Sequence, residues 1–521
     1  LILNTFFRSL LYKKEFYMKV LVILGHPRPD SYCSALADAY SAGALAAGAE
    51  VEFLRLSDLD FELNVLVPSP QDQFSEPDIV RAKELIKWAD HLVFIYPTWW
   101  GNMPALMKGF VDRVFVPGFA FYEIQPDAFE KLLKPKTAQL IITMDTPVLI
   151  DRIVNGAPSR RSMENATLKF CGVSPVRKML LSPIKHSSQE QKDLWLKKVY
   201  QQGYALRNGV LNARERFIKK LMPWIQAIRL QFYPMTFFAY GIGAFAYAKL
   251  FDSFNWTVFL LGYLVLFLIE VITVFSNDYY DKETDKLNQS FGPFSGGSRV
   301  LVSGVISDDE LIRAMKGLLI ALSLSTILLG IVSISSFPTI VLSVVLLFGI
   351  AISYTAPPLK FSYHGMGEII VGFTHSFAVI LCGFIFQGGD FNHSYPWLLG
   401  IPLFFSIIPA IIMAGVPDYQ ADKAGNKGTL VVRLGKTGGA YLAGFFVLMS
   451  LISVALLNQI DLVKDAYGNI IYLAAIHGGI LLLMFFNFIQ KRNKPDRIDG
   501  IMAIALMYIL WFALVPFFRL I

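Results

Sequence analysis

Two different spacings of apolar residues divide the chain. From Met18 to about Gln202, short apolar runs alternate with stretches whose apolar residues recur at helical spacing. The runs predict strands at 19–24, 51–56, 91–96, 139–144 and 179–182, with helices at 35–47, 79–88, 103–114 and 161–171 between them. Strand and helix in alternation predict a doubly wound parallel sheet covered on both faces, in which ligands sit beyond the carboxyl ends of the strands. Near residue 224 the pattern changes to apolar runs of about 20 residues, each long enough to cross a hydrocarbon core of about 30 Å. They read as about nine spans, at 224–248, 255–275, 310–333, 337–354, 366–387, 396–415, 438–458, 470–490 and 499–518. The expected organisation is an α/β domain over 18–205, a basic linker over 206–223 with Arg214, Arg216, Lys219 and Lys220, and an all-α polytopic membrane bundle over 224–521. Residues 1–17 read as an extension, with Met18 placed where a start is expected, directly before the first strand, and without the layout of a secretory signal.

Composition sharpens this division. With 54% of its 521 residues apolar and 17% charged, the chain is neither a purely soluble enzyme nor a single-span anchor. A net charge of +7 would raise nucleic acid as a partner, but no basic stripe interleaved with aromatics occurs outside the loops and linker, so none is expected. The basic residues instead follow loop parity. Loops after even-numbered spans carry Lys282, Arg299, Lys360, Lys427, Lys436, Lys491 and Arg497 among others, whereas those after odd-numbered spans offer Lys249 and Lys464. That bias puts the even loops, the linker and the soluble domain on the cytoplasmic side, as in a bacterial-type inner-membrane protein. Cys33, Cys171 and Cys382 have no metal-ligand spacing and are odd in number, so reduced thiols are expected.

In the α/β half, the loop after the first strand runs Gly25-His26-Pro-Arg-Pro-Asp-Ser31-Tyr-Cys33-Ser34 and opens a helix. It reads either as a phosphate cradle at a helix N-terminus or as a turn with a Ser N-cap. After the third strand come Tyr96-Pro97-Thr98-Trp99-Trp100-Gly101-Asn102, two indoles that either join the core or flank a planar cofactor. Together with Met103 through Arg113 and Pro117-Gly-Phe-Ala120, these residues resemble the flavodoxin-like NAD(P)H:quinone reductases over nearly the whole half. The resemblance implies a flavin, FMN or FAD, with its phosphate held between His26 and Ser34 and its ring against Pro97, Thr98, Trp99 and Trp100. It further implies hydride relay from NAD(P)H to a quinone, and a homodimer through this domain. Where better-known relatives carry Thr-Gly-Gly, this chain has Thr143-Met144-Asp145.

In the membrane half, Asn277-Asp278-Tyr-Tyr-Asp281-Lys-Glu-Thr-Asp285 follows the second span and Asp418-Tyr-Gln-Ala-Asp422 the sixth, with carboxylates at offsets that share one helical face. A single such cluster is ordinarily a solvated helix end, but two on one side suit Mg²⁺ bridged to a diphosphate, since hard carboxylate oxygens bind that ion and leave positions for phosphate. Lys286, Arg299, Lys360, Lys427 and Arg433 are candidates for the outer phosphate oxygens. Arg229, inside the first expected span, is either a snorkelling residue or a further diphosphate ligand.

These motifs, with Gly296-Gly-Ser-Arg299, Tyr354-Thr-Ala-Pro-Pro-Leu-Lys360 and Leu430-Val-Val-Arg433, resemble the intramembrane aromatic prenyltransferases of the UbiA superfamily. The resemblance implies a nine-helix bundle in the bilayer, Mg²⁺ on Asp278, Asp281, Asp285, Asp418 and Asp422, and a polyprenyl diphosphate ionised to an allylic cation that an aromatic or quinol acceptor captures. Asn277 and Tyr354 become candidates for orienting the acceptor or shielding the cation. Pro417-Asp-Tyr-x-Ala-Asp-Lys423 looks most like the dihydroxynaphthoate prenyltransferases of menaquinone synthesis, whereas Asn426-Lys427-Gly428-Thr429 departs from the usual Gly-Lys-Arg-Thr. The joint expectation is a bifunctional quinone-pathway enzyme. A flavin sensor domain without turnover, or prenyl transfer to a non-aromatic lipid acceptor, remains open beside it.

Overall fold

Val20, Val22 and Leu24 of strand β1 (Lys19–Leu24) are buried on one side of a sheet, and Leu21 and Ile23 on the other. A strand apolar on both faces belongs in the middle of a parallel sheet with helices above and below. In the computed structural model, which describes residues 18–125, 128–211, 213–292 and 294–521, β1 occupies that position. The described chain divides into two units, one ending at Phe217 and the other beginning at Ile218.

In the first unit, β2 (Glu50–Arg55) and β3 (His91–Pro97) flank β1, while β4 (Phe121–Gln125) and β5 (Ala128–Lys131) form a separate antiparallel hairpin. The strands β6 (Thr137–Thr143) and β7 (Val176–Leu181) complete the main sheet in the order β2-β1-β3-β6-β7, all parallel. Leaving the hairpin aside, this is the doubly wound order that reverses direction between β1 and β3, so the loops after those strands part and leave a crevice. Helices α1 (Tyr32–Ala46), α2 (Pro77–Trp88), α3 (Ala105–Val114) and α4 (Gln189–Tyr204) cover the sheet. Residues of α1 and α4 bury with Val20 and Val22, and residues of α2 and α3 with Leu21 and Ile23. Contact of α1 with α4 needs glycine: a Cβ on Gly43 would lie 2.1 Å from the Tyr200 carbonyl oxygen.

All five predicted strands are present, with ends displaced by up to three residues. The hairpin and α4 were not anticipated, because the hairpin strands are short and α4 is largely polar, fully burying only Val199 and Gly203. The helix expected at 161–171 is instead a short turn, Pro158–Arg161, running into a π-helical segment, Ser162–Lys169.

In the second unit, the helices are α5 (Tyr233–Phe251), α6 (Trp256–Tyr280), α7 (Asp308–Val332), α8 (Phe337–Ile352), α9 (Gly367–Phe386), α10 (Ser394–Ala424), α11 (Leu430–Leu457), α12 (Asn469–Gln490) and α13 (Asp499–Leu520). Seven of these, all but α5 and α8, are long and apolar enough to cross a membrane. Each expected span has a helical counterpart, but α8 is a shorter apolar helix, and tyrosines, glycines and Lys249 dilute α5. The expected first span at 224–248 is interrupted. A helix over Ala213–Ile228 ends where Arg229 takes a left-handed conformation (φ 57°), and α5 begins afresh with Pro234 in its first turn. Two spans extend further than hydropathy suggests, so that Asn277 and Asp278 lie in the last turns of α6, and Asp418 and Asp422 in those of α10, rather than in loops. Buried apolar residues of α5, α6, α9, α10, α11 and α13 make up one continuous core.

His91 is buried in the N-terminal unit, its ring nitrogens 3.1 Å from the Tyr40 hydroxyl and 2.7 Å from that of Thr137. Burial, and then the charge of Arg177, push its pKa down from 6.5 to about 3. Because its folded pKa lies below the unfolded value, its contribution to stability is complete above about 6.5 and is lost as pH falls towards 3. Acidification from pH 6.5 to 5 is expected to destabilise this unit by up to about 1.4 kcal/mol per pH unit, with a smaller slope in His91→Gln. The measurement is pulse labelling of Cys33 and Cys171, both buried in this unit, across a denaturant series at each pH.

Candidate functional site

The crevice beyond β1 and β3 holds a cavity of about 260 Å³ lined by His26, Arg28, Ser31, Cys33, Pro97, Thr98, Trp99, Thr143 and Asp145, among others. Ser31 is the N-cap of α1 and accepts a hydrogen bond from the Ser34 amide at 3.2 Å, so the capped turn and the anion-binding end of a helix coincide here. The His26 ring accepts from the Arg28 amide through Nδ1 at 3.0 Å, and burial followed by Arg28's charge lowers its pKa, keeping it neutral. Its ring meets Trp99 edge to face at 5.6 Å. Cys33 is 3.3 Å from the Thr143 hydroxyl and burial pushes its thiol up to about 11, which makes it packing rather than a nucleophile.

The two indoles separate. Trp100 (φ 50°) and Gly101 (φ 76°) form a tight turn closed by reciprocal backbone hydrogen bonds between Trp99 and Asn102. That turn leaves Trp99 on the cavity and the Trp100 side chain fully in solvent. Ser34 lies buried behind the cavity wall. Thr98 Oγ1 is buried on the cavity without a hydrogen-bond partner, as expected of a group meant for a polar ligand edge. A helix N-terminus, an orphan hydroxyl and a half-exposed indole in one crevice fit a phosphate-bearing planar cofactor.

In the second unit, the ends of α6 and α10 face each other across a chamber of about 260 Å³. Arg229, Asn277, Asp281, Asp285, Tyr354, Asp418, Asp422 and Lys427 all line it. Asp278 lies just behind, both its oxygens engaged by Arg229 and by the amide and hydroxyl of Ser298. Lys427 donates to Asp281 at 2.7 Å and stands 4.0 Å from Asp422, while Tyr363 donates to Asp281 at 3.1 Å and Asn288 to Asp418 at 2.7 Å. Burial opposes the charge on Lys427, but Asp281, Tyr354 and Asp422 outweigh it and hold the ammonium well above its ordinary range. Burial, then the neighbouring charge of Asp281, pushes Asp285 up to about 7. Gly296 and Gly297 adopt left-handed φ of 76° and 72°, and a Cβ on Gly297 would lie 2.0 Å from the Asp285 carboxylate.

Among the described residues no three metal-ligating side chains form a ready-made cage. Crowded, mutually repelling carboxylates with oxygen donors only nevertheless fit Mg²⁺, which takes one or two carboxylates and completes its shell from phosphate and water. Along Thr273, Val274, Phe294, Ala351, Val371, Thr374, His375 and Ile411 the chamber adjoins a second, mainly apolar cavity of about 420 Å³.

The other expected phosphate ligands lie outside this lining. Lys286 pairs with Glu283 at 2.6 Å, Arg299 donates to the Asp285 carbonyl at 2.9 Å, and Arg433 donates to the Gly428 carbonyl at 2.9 Å. Lys360 sits over the Tyr363 ring at 5.0 Å. Sequence reasoning missed Asn288, Ser298 and Tyr363, which bind the aspartates directly. Ser298 was visible inside a quoted motif, whereas no spacing marks Asn288 or Tyr363.

Two family models match the chain: a flavodoxin-like fold over residues 18–202, and the UbiA prenyltransferase family over residues 235–516. The second covers more than half of the protein. The chain belongs to the UbiA prenyltransferase family. It is 27% identical over 302 residues to the 1,4-dihydroxy-2-naphthoate octaprenyltransferase of Escherichia coli, covering 54% of this chain and 89% of that one. The first unit is 26% identical over 210 residues to an uncharacterized NAD(P)H oxidoreductase of Haemophilus influenzae, covering 38% of this chain and all of that one. It is also 26% identical over 202 residues to the mouse ribosyldihydronicotinamide dehydrogenase [quinone], covering 34% and 87%. A flavodoxin-like NAD(P)H-oxidoreductase domain is thus fused to a UbiA-type membrane prenyltransferase domain.

Within the UbiA domain, Gly297→Ala is expected to destabilise the loop over the aspartates by about 1–3 kcal/mol, combining a left-handed alanine with a contact on Asp285. Thermal unfolding of the full chain in detergent, with Cys382 labelling reporting this domain, checks it; an unchanged midpoint would show that the loop relaxes.

Proposed function

We propose that the membrane domain transfers a polyprenyl group from its diphosphate to an aromatic acceptor of the dihydroxynaphthoate type, and that the N-terminal domain is a flavin-dependent NAD(P)H:quinone reductase. The observation that carries the transferase reading is the carboxylate chamber opening into an apolar cavity, a shape matched to a diphosphate head and a hydrocarbon tail. Asp281, Asp285, Asp418 and Asp422 are the residues that would hold Mg²⁺, which when bound supplies neutralisation of the charge on the departing diphosphate. Asp278 orients Arg229 towards that diphosphate, and Lys427 is placed to exchange Asp281 for a phosphate oxygen. Tyr354 and the apolar walls exclude water from the allylic carbon, so that the acceptor rather than hydroxide captures it. The identity with the Escherichia coli octaprenyltransferase supports the acceptor class.

In the N-terminal domain, the α1 N-terminus and His26 would hold the phosphate of FMN or FAD, with Pro97, Thr98 and Trp99 against the ring. A flavin held there supplies two-electron exchange between NAD(P)H and a quinone. The reading makes the protein a bifunctional enzyme of prenylquinone metabolism in a bacterial-type inner membrane, and its basic loops support a cytoplasmic placement of the N-terminal domain and the aspartates.

Membranes containing the protein, given Mg²⁺, a polyprenyl diphosphate and 1,4-dihydroxy-2-naphthoate, are expected to yield a prenylated dihydroxynaphthoate, detected with the naphthoquinone that its decarboxylation and oxidation in air give. Asp278→Asn with Asp281→Asn should lower the yield by about 100-fold or more, as should chelation of the metal. Diphosphate release only with other acceptors would overturn the naphthoate assignment. For the N-terminal domain, steady NAD(P)H oxidation with added quinone is expected, and Trp99→Ala should weaken flavin retention by about 10-fold. Bound flavin without turnover would identify a sensor instead.

A further inference from the structure

The mechanism above leaves one pair of buried ionisable groups unused. Glu270 lies mid-way along α6, where a carboxylate is expensive and by default functional. Its side chain is 10% accessible and lines the apolar cavity; Oε1 is 4.0 Å from His375 Nε2, and Oε2 makes no hydrogen bond. His375 Nδ1 lies 3.1 Å from the Val371 carbonyl, which can only accept, so Nδ1 carries a proton and Nε2 is the nitrogen presented to Glu270. The separation is too long for a direct hydrogen bond but short enough for the carboxylate to stabilise a positive charge on the ring. His375 also sits on a π-helical segment, Thr374–Ala378, that interrupts α9, a distortion commonly found at functional positions.

Place in the cavity gives the pair its meaning. The allylic carbon of a prenyl diphosphate lies between head and tail, so it must sit where the polar chamber passes into the apolar cavity. His375 and Thr374 line both spaces. We infer that His375 Nε2 takes the proton of a hydroxyl of the aromatic acceptor at this junction as the ring attacks, and that the Glu270 carboxylate beside it stabilises the imidazolium so formed. The inference rests on the transferase reading proposed above and names the base that reading lacks.

In the step so defined, the C–O bond to diphosphate breaks and diphosphate departs with the electron pair. The acceptor hydroxyl gives its proton to His375 Nε2, a ring carbon forms the C–C bond to the allylic carbon, and the oxygen becomes a ring ketone. The ketone regains its hydroxyl by taking that proton back from His375, while the substituted ring carbon loses its own hydrogen as a proton to the departed diphosphate. Nothing is oxidised or reduced. The acceptor becomes electron-rich only inside the cavity, next to the cation it must capture.

The test uses the full chain in lipid nanodiscs with Mg²⁺, geranylgeranyl diphosphate and 1,4-dihydroxy-2-naphthoate. Glu270→Gln and His375→Gln are expected to lower kcat for prenylated product by about 100-fold or more. Affinity for a non-ionisable thio-analogue of the diphosphate should stay within about twofold, with Glu270→Asp recovering part of the rate. Wild-type kinetics in both Gln variants would overturn the inference and leave the transferase reading standing. Loss of analogue binding in both would make the pair structural and overturn it equally. Absence of product from the wild-type chain would overturn the transferase reading itself, and the inference with it.

Discussion

The chamber of the membrane domain is bordered by five carboxylates, Asp281, Asp285, Glu368, Asp418 and Asp422, and by two permanent cations, Arg229 and Lys427. In a low-dielectric interior this imbalance is the constraint from which the surrounding structure follows. A buried carboxylate needs hydrogen bonds and opposite charge, and those needs explain the positions of otherwise unremarked residues. The helix break at Arg229 brings a guanidinium to Asp278. The double-glycine turn brings Ser298 to the same carboxylate and lets the backbone pass against Asp285. Lys427 reaches back to Asp281 across 146 residues of sequence. What remains uncompensated is the capacity to accept a cation with its phosphate.

The N-terminal domain meets its own constraint by different means. Its cavity arises from topology, because strands β1 and β3 send their following connections to opposite faces of the sheet. Chemistry is then added at little structural expense: a Ser N-cap on α1, a neutral histidine against an indole, and a hydroxyl left without a partner. The charged groups of this lining, Arg28, Asp145 and Lys185, lean positive, whereas those of the membrane chamber lean negative.

Much of this was legible in the sequence because it rests on local pattern. Alternation of strand and helix reveals the sheet, since strands buried on both faces are mostly apolar, as β1 and β3 are. Paired aspartates reveal the chamber because offsets of three and four place them on one helical face. The pattern failed where burial is slight or partners are distant. The β4–β5 strands are too short to register and α4 carries too little apolar residue, and the break at Arg229 depends on a backbone conformation that hydropathy does not sense. Lys286, Arg299, Lys360 and Arg433 are marked in the sequence by charge and proximity alone, and the fold gives each a protein partner outside the chamber lining. Asn288 and Tyr363 became visible only once the fold placed them beside Asp418 and Asp281.

The ion pair between Lys427 and Asp281 joins the end of one long helix to the turn after another. A phosphate entering the chamber competes for that same ammonium, so occupancy and the tie between these two segments are alternatives. Asp281 and a bound phosphate are thus rival partners for one ammonium, and a charge that braces the fold is the same charge the site offers to its ligand.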